Sequence, residues 1–240
     1  AASDVYKRQT PDILPNRYRQ LADLVRFYEP TRILETGTWN GGRAIEMALA
    51  AFDRNKEVHY IGFDLFEDAT PQTDHEEFNV KPHNTLEAVE KRLKEFQEHM
   101  KQKEDKTFTF ELTKGNVRDT LKDRKFTSSD ATLALIGSGN SAETVGVEYE
   151  ALREVPVVIA DHYFTEEEDD KGIPPEKYQG VKDVFDKVKT RKVDAQETTD
   201  DGWTSFDEQS TTRKYLLPSA DKVSGGGNTN IVDFIQDHDL

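Results

Sequence analysis

A glycine-rich turn between a short strand-like run and a helical pattern constrains the fold of this chain more than any other feature. Residues 33–36 form the run, Gly37, Gly41 and Gly42 follow it, and residues 44–52 carry apolar side chains at helical spacing. Glycine permits positive φ angles and lets a ligand approach the backbone closely. The unpaired N–H groups at the start of the next helix can bind an anion. The sequence therefore predicts a strand, a tight turn and a helix that suit a nucleotide-like cofactor at the edge of a parallel sheet.

A second strand-like run ends in a carboxylate at the distance expected for such a cofactor. Residues 58–63 are mostly apolar, and Asp64 follows them directly. A ribose-binding carboxylate typically lies about 20 residues beyond the glycine-rich turn. Asp64 at this place can accept hydrogen bonds from both ribose hydroxyls. A strand-end Asp can also simply cap the next turn, and the sequence leaves that alternative open.

The acidic composition of the chain excludes some classes of partner. Its 240 residues include 47 Asp and Glu against 32 Lys and Arg, for a formal net charge of −15, and no Cys. A surface this acidic disfavours nucleic acid, whose phosphates bind Lys and Arg. The lack of Cys excludes a disulfide framework, a thiolate metal site and a thiol nucleophile. The excess of acidic over basic residues suits a protein with a small-molecule substrate, or one from a salt-rich habitat.

The apolar runs are too short to predict a membrane segment. A membrane helix needs roughly 18 apolar residues, and the longest nearly apolar runs are residues 131–136 and 155–160. The first residues lack the basic-then-apolar pattern of a signal peptide, so we expect no membrane partner and a cytoplasmic location. Residues 1–9 look like a translated sequencing-adapter remnant, and we expect an artefact or a disordered tail there.

Strand-like and helix-like segments alternate along most of the chain. A first helix, with apolar residues at helical spacing, ends at Pro30. Asn84 with Glu87 resembles a capping box, and residues 67–83 show no period and predict a loop. We predict strands at residues 33–36, 58–63, 107–112, 131–136 and 155–160, and further helices at residues 43–54, 84–100, 141–153 and 176–190.

This alternation predicts a doubly wound, Rossmann-like α/β fold with a mostly parallel sheet and helices on both faces. Residues 191–217 are β-like but polar, and we predict that they form an antiparallel pair at the C-terminal edge of the sheet. We expect one domain over residues 10–218 and a C-terminal tail at residues 219–240.

The order of motifs at the predicted strand ends resembles that of class I S-adenosylmethionine-dependent methyltransferases, of the type that acts on small molecules. The resemblance runs from about Arg32 to Phe164, and each motif is modestly specific alone. The five motifs, in family order, are residues 33–42, 62–66, 115–121, 135–145 and 158–164. The resemblance implies methyl transfer from S-adenosylmethionine (SAM) to a small-molecule acceptor.

The resemblance also implies which residues bind SAM. The first motif would hold the methionine part, through Glu35, Gly37, Thr38, Asn40 and Gly41. The loop after the fourth strand would line the reactive side of the cofactor, through Gly137, Ser138 and Gly139.

The adenosine part of SAM would lie on the second and third motifs. The resemblance implies that Asp64 accepts the ribose hydroxyls and that Leu65 or Phe66 packs on the adenine. Asn116 and Val117 would border the adenine edge.

The chain departs from the family pattern where metal-dependent members hold a divalent ion. Those members carry an Asp and a His where this chain has Gly137 and Asn140, and a second acidic residue where it has His162. Mg²⁺ is usually held through one or two carboxylates, and Gly137 has no side chain to offer. The sequence therefore predicts no metal ligands, and it leaves open whether catalysis is kept.

Asp161 and His162 are the candidate catalytic residues, because they follow an apolar strand at the end where ligands bind in such sheets. Methyl transfer needs the acceptor, methyl carbon and sulfur in line, and a base within reach of an acceptor hydroxyl. His162 is the candidate base because imidazole titrates near neutral pH. Asp161 could orient His162, bind an ion or cap a turn.

The sequence leaves two other functions open. A nicotinamide-dependent oxidoreductase can use a similar sheet, although Trp39 stands where its G-x-G-x-x-G pattern needs the second glycine. A binding protein could keep the fold and cofactor pocket while catalysis is lost, and Gly137 and Asn140 favour that alternative. The sequence does not indicate the methyl acceptor or the oligomeric state.

Overall fold

The computed structural model describes residues 16–163, 176–188, 192–194 and 213–218, with side chains over residues 21–161 and 179–188. The tails predicted at residues 1–9 and 219–240 lie outside the described residues.

Strands and helices alternate in these ranges as the sequence predicts. The strands are β1 (Arg32–Thr36), β2 (Glu57–Asp64), β3 (Thr107–Lys114), β4 (Leu133–Ile136), β5 (Val157–Tyr163), β6 (Lys192–Asp194) and β7 (Arg213–Pro218). The α-helices are α1 (Asn16–Tyr28), α2 (Gly42–Ala51), α3 (Pro71–Glu76), α4 (Leu86–Lys103), α5 (Val117–Thr120), α6 (Ala142–Leu152) and α7 (Glu176–Phe185). A 3₁₀ turn spans Phe66–Asp68.

The strands form one seven-stranded sheet in the order β3-β2-β1-β4-β5-β7-β6, and every neighbouring pair is parallel. The predicted doubly wound parallel sheet is confirmed. The predicted antiparallel C-terminal edge is wrong, because β7 pairs in parallel with both β5 and β6. An alternating pattern indicates a strand but not its direction, and a long connection such as that between β6 and β7 allows a parallel return.

Helices cover both faces of the sheet, because the central strands bury side chains on both sides. Ile33 of β1 packs in an apolar cluster with α1, α2 and α4, whereas the next residue, Leu34, packs in a second cluster with α6 and α7. Tyr60 and Ile61 of β2 are divided in the same way. Successive side chains of a strand point to opposite faces, so helices on both faces require the central strands to bury side chains at consecutive positions.

Residues 67–83 contain more structure than the predicted loop, because α3 lies within them. Thr70 caps α3: its Oγ1 accepts a hydrogen bond from the Thr73 N–H at 3.2 Å, and the Thr73 Oγ1 accepts one from the Thr70 N–H at 2.9 Å. A helix of six residues is too short to show a period. Thr followed by Pro71 at the first helical position was the available start signal.

The N-terminal cap of α4 is Thr85 rather than the predicted Asn84. The Thr85 Oγ1 accepts a hydrogen bond from the Ala88 N–H at 3.2 Å. Both residue types cap helices well, so the sequence alone does not separate these neighbours. No helix in the described ranges has both the length and the apolar character needed to cross a membrane.

Two helical glycines provide a test of how α7 packs. A Cβ at Gly180 of α7 would overlap the backbone of Asn140 and lie 2.5 Å from the nitrogen of Ala142, whereas a Cβ at Gly146 of α6 meets nothing within 4 Å. We expect Gly146→Ala to stabilise the fold by about 0.5–1 kcal/mol. Gly180→Ala should destabilise it by about 1–3 kcal/mol, because α7 must shift. Urea unfolding measures both, and equal effects would contradict the close packing.

Candidate functional site

The carboxyl ends of four parallel strands bring predicted site residues to one edge of the sheet. Gly37 follows β1, Asp64 ends β2, Gly137 follows β4, and Asp161 lies near the carboxyl end of β5. The chain runs outward from β1 to β3 on one side and from β4 onward on the other, so the strand order reverses between the neighbours β1 and β4. Ligands bind at such switch points in open α/β sheets. We call this region, marked by those four residues, the switch-point edge.

The turn after β1 has a conformation that requires glycine. Gly37 has a φ of 81°, and a Cβ there would overlap the Gly137 carbonyl and lie 2.8 Å from the Cα of Ser138. The Gly37 N–H donates to the Phe63 carbonyl at 2.7 Å, which ties the turn to β2. The turn therefore packs directly against the loop that follows β4.

The polar side chains of this turn bond to the protein itself. The Thr38 Oγ1 lies 3.0 Å from the Tyr60 hydroxyl, and the Asn40 Oδ1 accepts a hydrogen bond from the Gly42 N–H at 2.8 Å. Thr38 and Asn40 are buried, and Gly41 has a φ of 79°. The side chains of Thr38 and Asn40 are therefore already hydrogen-bonded within the protein, and the predicted roles of Thr38, Asn40 and Gly41 in cofactor binding stay predictions.

Asp64 links the turn after β1 to the turn after β2. Its Oδ2 accepts a hydrogen bond from the Trp39 N–H at 2.8 Å, and its Oδ1 accepts one from the Phe66 N–H at 2.7 Å. The carboxylate therefore caps the next turn, which is the alternative that the sequence leaves open. An ionised carboxylate has about four lone-pair sites, and Asp64 is only partly buried. It keeps the capacity to accept ribose hydroxyls.

The residues predicted to contact adenine differ in exposure. Phe66 is completely buried in the core, whereas Leu65 is partly exposed, so Leu65 is the one with surface to offer. The Asn116 Oδ1 accepts a hydrogen bond from the Arg118 N–H at 2.9 Å and so caps α5. Asn116 is partly exposed and Val117 is buried. Which of them contacts adenine stays a prediction.

Arg43, in the first turn of α2, connects three groups at the switch-point edge. Its Nε lies 2.7 Å from Glu35 Oε1, its Nη1 donates to Asp161 Oδ2 at 2.7 Å, and its Nη2 donates to the Gly37 carbonyl at 2.7 Å. The Tyr60 hydroxyl donates to the other oxygen of Glu35 at 2.5 Å. Burial raises the pKa of the Glu35 carboxyl, and Arg43 and Tyr60 only partly offset this increase.

The two candidate catalytic residues are described to different extents. Asp161 is 4% exposed, and its carboxylate is held by Arg43. The backbone of His162 lies in β5, but its side chain lies outside the described residues, so its role as a base stays a prediction. Among the residues that the structure describes, no three His, Asp or Glu side chains are grouped so that they could hold a metal ion.

The loop after β4 is hydrogen-bonded to Glu148 of α6. The Ser138 N–H and Oγ both donate to Glu148 Oε1, at 3.2 and 2.6 Å. The Gly137 N–H donates to the Thr36 Oγ1 at 3.2 Å. The position of this loop against the turn after β1 therefore depends on a carboxyl group that is itself completely buried.

Glu77, directly after α3, holds the start of α6. Its Oε2 accepts hydrogen bonds from the N–H groups of Asn140 and Ser141 at 2.7 and 2.8 Å, and its Oε1 accepts from Thr144 Oγ1 and Arg118 Nη2 at 2.5 and 2.6 Å. Burial raises the pKa of Glu77, but these hydrogen bonds outweigh it and keep the pKa below its usual value. Glu77 is therefore an anion that caps α6 from another segment.

Three residues of the site were not predicted from the sequence: Arg43, Glu77 and Glu148. For Arg43 a signal existed, because a basic side chain in the first turn of a helix opposes the helix dipole and needs acidic partners. For Glu148 the signal was an acidic residue on the apolar face of a predicted helix. For Glu77 no local pattern marks the role, since its partners lie more than 40 residues along the chain.

Comparison with known proteins finds only distant structural likeness. No family model and no curated protein matches the chain. Similar solved structures include the O-methyltransferase TomG from Streptomyces achromogenes, involved in tomaymycin synthesis and solved with SAM (17% identity, 75% of this chain, 72% of that chain, TM-score 0.44). A second is a proposed O-methyltransferase from Klebsiella pneumoniae (19% identity, 77% of this chain, 72% of that chain, TM-score 0.44). A third is the S-adenosylhomocysteine-bound methyltransferase PaMTH1 from Podospora anserina (16% identity, 62% of this chain, 54% of that chain, TM-score 0.34). Identities and TM-scores this low carry no argument about the function.

The buried Glu148 should make the stability of the fold depend on pH. Burial raises the pKa of Glu148 to about 7, above the value of about 4.3 in an unfolded chain. The folded state therefore holds this proton more tightly, and its contribution to the free energy of unfolding is lost as the pH rises through about 7. Glu148→Gln removes the titration. We expect the variant to be more stable than the wild type at pH 8, by up to about 3 kcal/mol, and by no more than about 1 kcal/mol at pH 5, where most of the contribution of the protonated Glu148 remains.

Urea unfolding at the two pH values measures this difference. Glu150→Gln on the same helix is the control, because Glu150 is exposed and pairs only with the nearby surface residue Arg153 among the ion pairs described. The same stability difference between Glu148→Gln and wild type at pH 5 and pH 8 would contradict the predicted titration.

Proposed function

We propose that this protein is a SAM-dependent methyltransferase that acts on a small-molecule acceptor. The observation that carries the proposal is the position of Asp64. This carboxylate ends β2, is partly exposed, and is hydrogen-bonded to the backbone of the glycine-rich turn after β1. A ribose acceptor and a turn with close backbone approach therefore lie side by side at the switch point. The order of motifs at the strand ends supports SAM as the ligand.

The residues of the switch-point edge fit the adenosine part of SAM. Asp64 has acceptor capacity for the ribose hydroxyls beyond its two backbone hydrogen bonds. Leu65 and Asn116 are partly exposed beside it, at the positions predicted for the adenine.

The methionine part of SAM has a different set of partners. The N–H groups of Gly37 and Thr38 both donate to the Phe63 carbonyl, at 2.7 and 3.3 Å. In contrast, the buried Asn140 Oδ1, at the end of the β4 loop, has no hydrogen-bond partner in the described structure. A buried acceptor of this kind is costly unless a donor satisfies it, and the ammonium group of a bound SAM would supply one.

SAM supplies an activated methyl group when it is bound, so the protein has to align the acceptor and remove its proton. His162 is the proposed base, beside Asp161 in β5, because neutral imidazole can take a proton near pH 7. The net charge of −15 suits a small molecule rather than a nucleic acid as the acceptor.

One observation favours a second candidate, a protein that binds the cofactor without catalysis. The Asp161 carboxylate is already engaged by Arg43, and Gly137 has no side chain, so neither position is suited to act as a base on the acceptor. Cofactor binding is common to both candidates, whereas methyl transfer separates them.

Ligand-induced stabilisation tests the proposal, and Asp64 provides the decisive variant. S-adenosylhomocysteine (SAH) at about 100 times its Kd should stabilise the wild type by about 2.7 kcal/mol, and NAD should not stabilise it. Asp64→Ala should weaken SAH binding by about 1.5–3 kcal/mol, the range for hydrogen bonds to a charged group. Thermal melting with and without each ligand measures both effects.

The comparison uses the ligand-induced shift in Tm, because Asp64→Ala also loses two backbone hydrogen bonds and melts lower without ligand. Asp68→Ala is the control, since Asp68 lies on the same turn and contacts Lys114 at the surface, at 3.1 Å. Stabilisation by NAD and none by SAH would reject the methyltransferase proposal. Equal SAH shifts in both variants would show that Asp64 only caps the turn.

A further inference from the structure

Three oxygen groups from separate parts of the fold converge on the guanidinium of Arg43. They are a carboxylate oxygen of Glu35 in β1, the carbonyl of Gly37 in the turn, and a carboxylate oxygen of Asp161 in β5, each 2.7 Å from a different nitrogen. Glu35 is 0% exposed and Asp161 is 4% exposed. The guanidinium thus joins two strands and a turn at the switch-point edge.

The charges around Arg43 exceed its own. Two buried carboxylates face one guanidinium, and burying a charge without a partner is costly. The carboxyl oxygens of Glu46, one helical turn along α2, are also buried and without hydrogen-bond partners in the described structure. Burial raises the pKa of Glu46 to about 8, against the opposing effects of Arg26 and then Arg43, so Glu46 adds little charge near neutral pH. Carboxylate and carbonyl oxygens are the ligands that hard divalent cations choose. Without a guanidinium, this set of oxygens would attract such a cation.

Gly137 makes the space that the guanidinium needs. A Cβ at this position would lie 3.3 Å from both terminal nitrogens of Arg43 and 3.5 Å from the Cβ of Asp161. Any longer side chain at the end of β4 would have to enter the space that the guanidinium fills. Gly137 and Arg43 are therefore complementary.

We propose that Arg43 is the resident cation of the switch-point edge, and that its guanidinium occupies the place where the surrounding oxygens would otherwise bind a divalent metal ion. Arg43 is a positioning residue: it fixes the Asp161 carboxylate and holds the turn after β1, to which the proposed function assigns the cofactor. If the proposed function holds, methyl transfer by this protein needs no metal, because the charge that a metal would supply is part of the chain.

Neutral and charged replacements of Arg43 distinguish a resident cation from a purely structural side chain. Arg43→Gln removes the charge but keeps a hydrogen-bond donor, and Arg43→Lys keeps the charge. We expect Arg43→Gln to gain an Mn²⁺ site, with affinity at least roughly tenfold above that of the wild type, because two buried carboxylates have lost their counter-charge. Arg43→Lys should bind Mn²⁺ no better than the wild type. Electron paramagnetic resonance of free Mn²⁺ measures the binding directly.

Arg26→Gln is the matched control. Arg26 also contacts two carboxylates, Asp23 and Asp53, each at 3.0 Å, but its side chain is 42% exposed, so water can replace the charge. We expect no new Mn²⁺ site in this variant. Mn²⁺ should also raise the Tm of Arg43→Gln and leave that of Arg26→Gln unchanged.

Mn²⁺ binding that is the same in Arg43→Gln and Arg43→Lys, whether both bind or neither does, would overturn the proposal. So would a tight Mn²⁺ site in the wild type that Arg43→Gln abolishes. The measurement requires neither SAM nor an acceptor, so its failure is distinguishable from a failure of the proposed function.

Discussion

Two buried carboxylates, Glu35 and Asp161, share the positive charge of Arg43, and the arrangement of the site depends on this shared ion pair. Arg43 contacts both and also bonds to the Gly37 carbonyl. Gly37 also packs closely on the loop after β4, so that a Cβ at Gly37 would overlap that loop. The ends of β1, β4 and β5 are therefore held in one network. Removing the guanidinium would leave like charges in a region that water reaches poorly.

The central sheet could be predicted from the sequence because its signals are local. The runs that became β4 and β5 are short and nearly continuously apolar, which is the pattern of strands buried on both faces. The glycine-rich turn and Asp64 mark the ends of β1 and β2. The direction of the C-terminal strands could not be predicted in this way, because residues 191–217 are mostly polar and the partners of β6 and β7 are set by long connections. The short helix α3 was not predicted, because six residues are too few to show the helical period of apolar side chains.

The candidate site was predictable only in part, for a similar reason. Asp64 could be found because its distance from the glycine-rich turn reflects the length of one helix and one strand. Arg43 and Asp161 lie 118 positions apart in the chain, so their ion pair exists only in the folded protein. Glu77 is likewise distant in the chain from its partner Asn140, by 63 positions. Glu148 lies only 10 positions from Ser138, and an acidic residue on the apolar face of a predicted helix was its signal. Motifs therefore indicated where a ligand could bind, but not which charges shape the edge.

A crystal structure of the protein grown with SAH would test most directly the claim that the switch-point edge is a SAM site. We predict that the ribose hydroxyls lie within hydrogen-bond distance of Asp64 and that the amino group of the homocysteine part donates to the Asn140 Oδ1. The sulfur should then face the β5 end that carries Asp161. Ligand density at another edge of the sheet, or an Asp64 that contacts only Trp39 and Phe66 while SAH is bound, would contradict it.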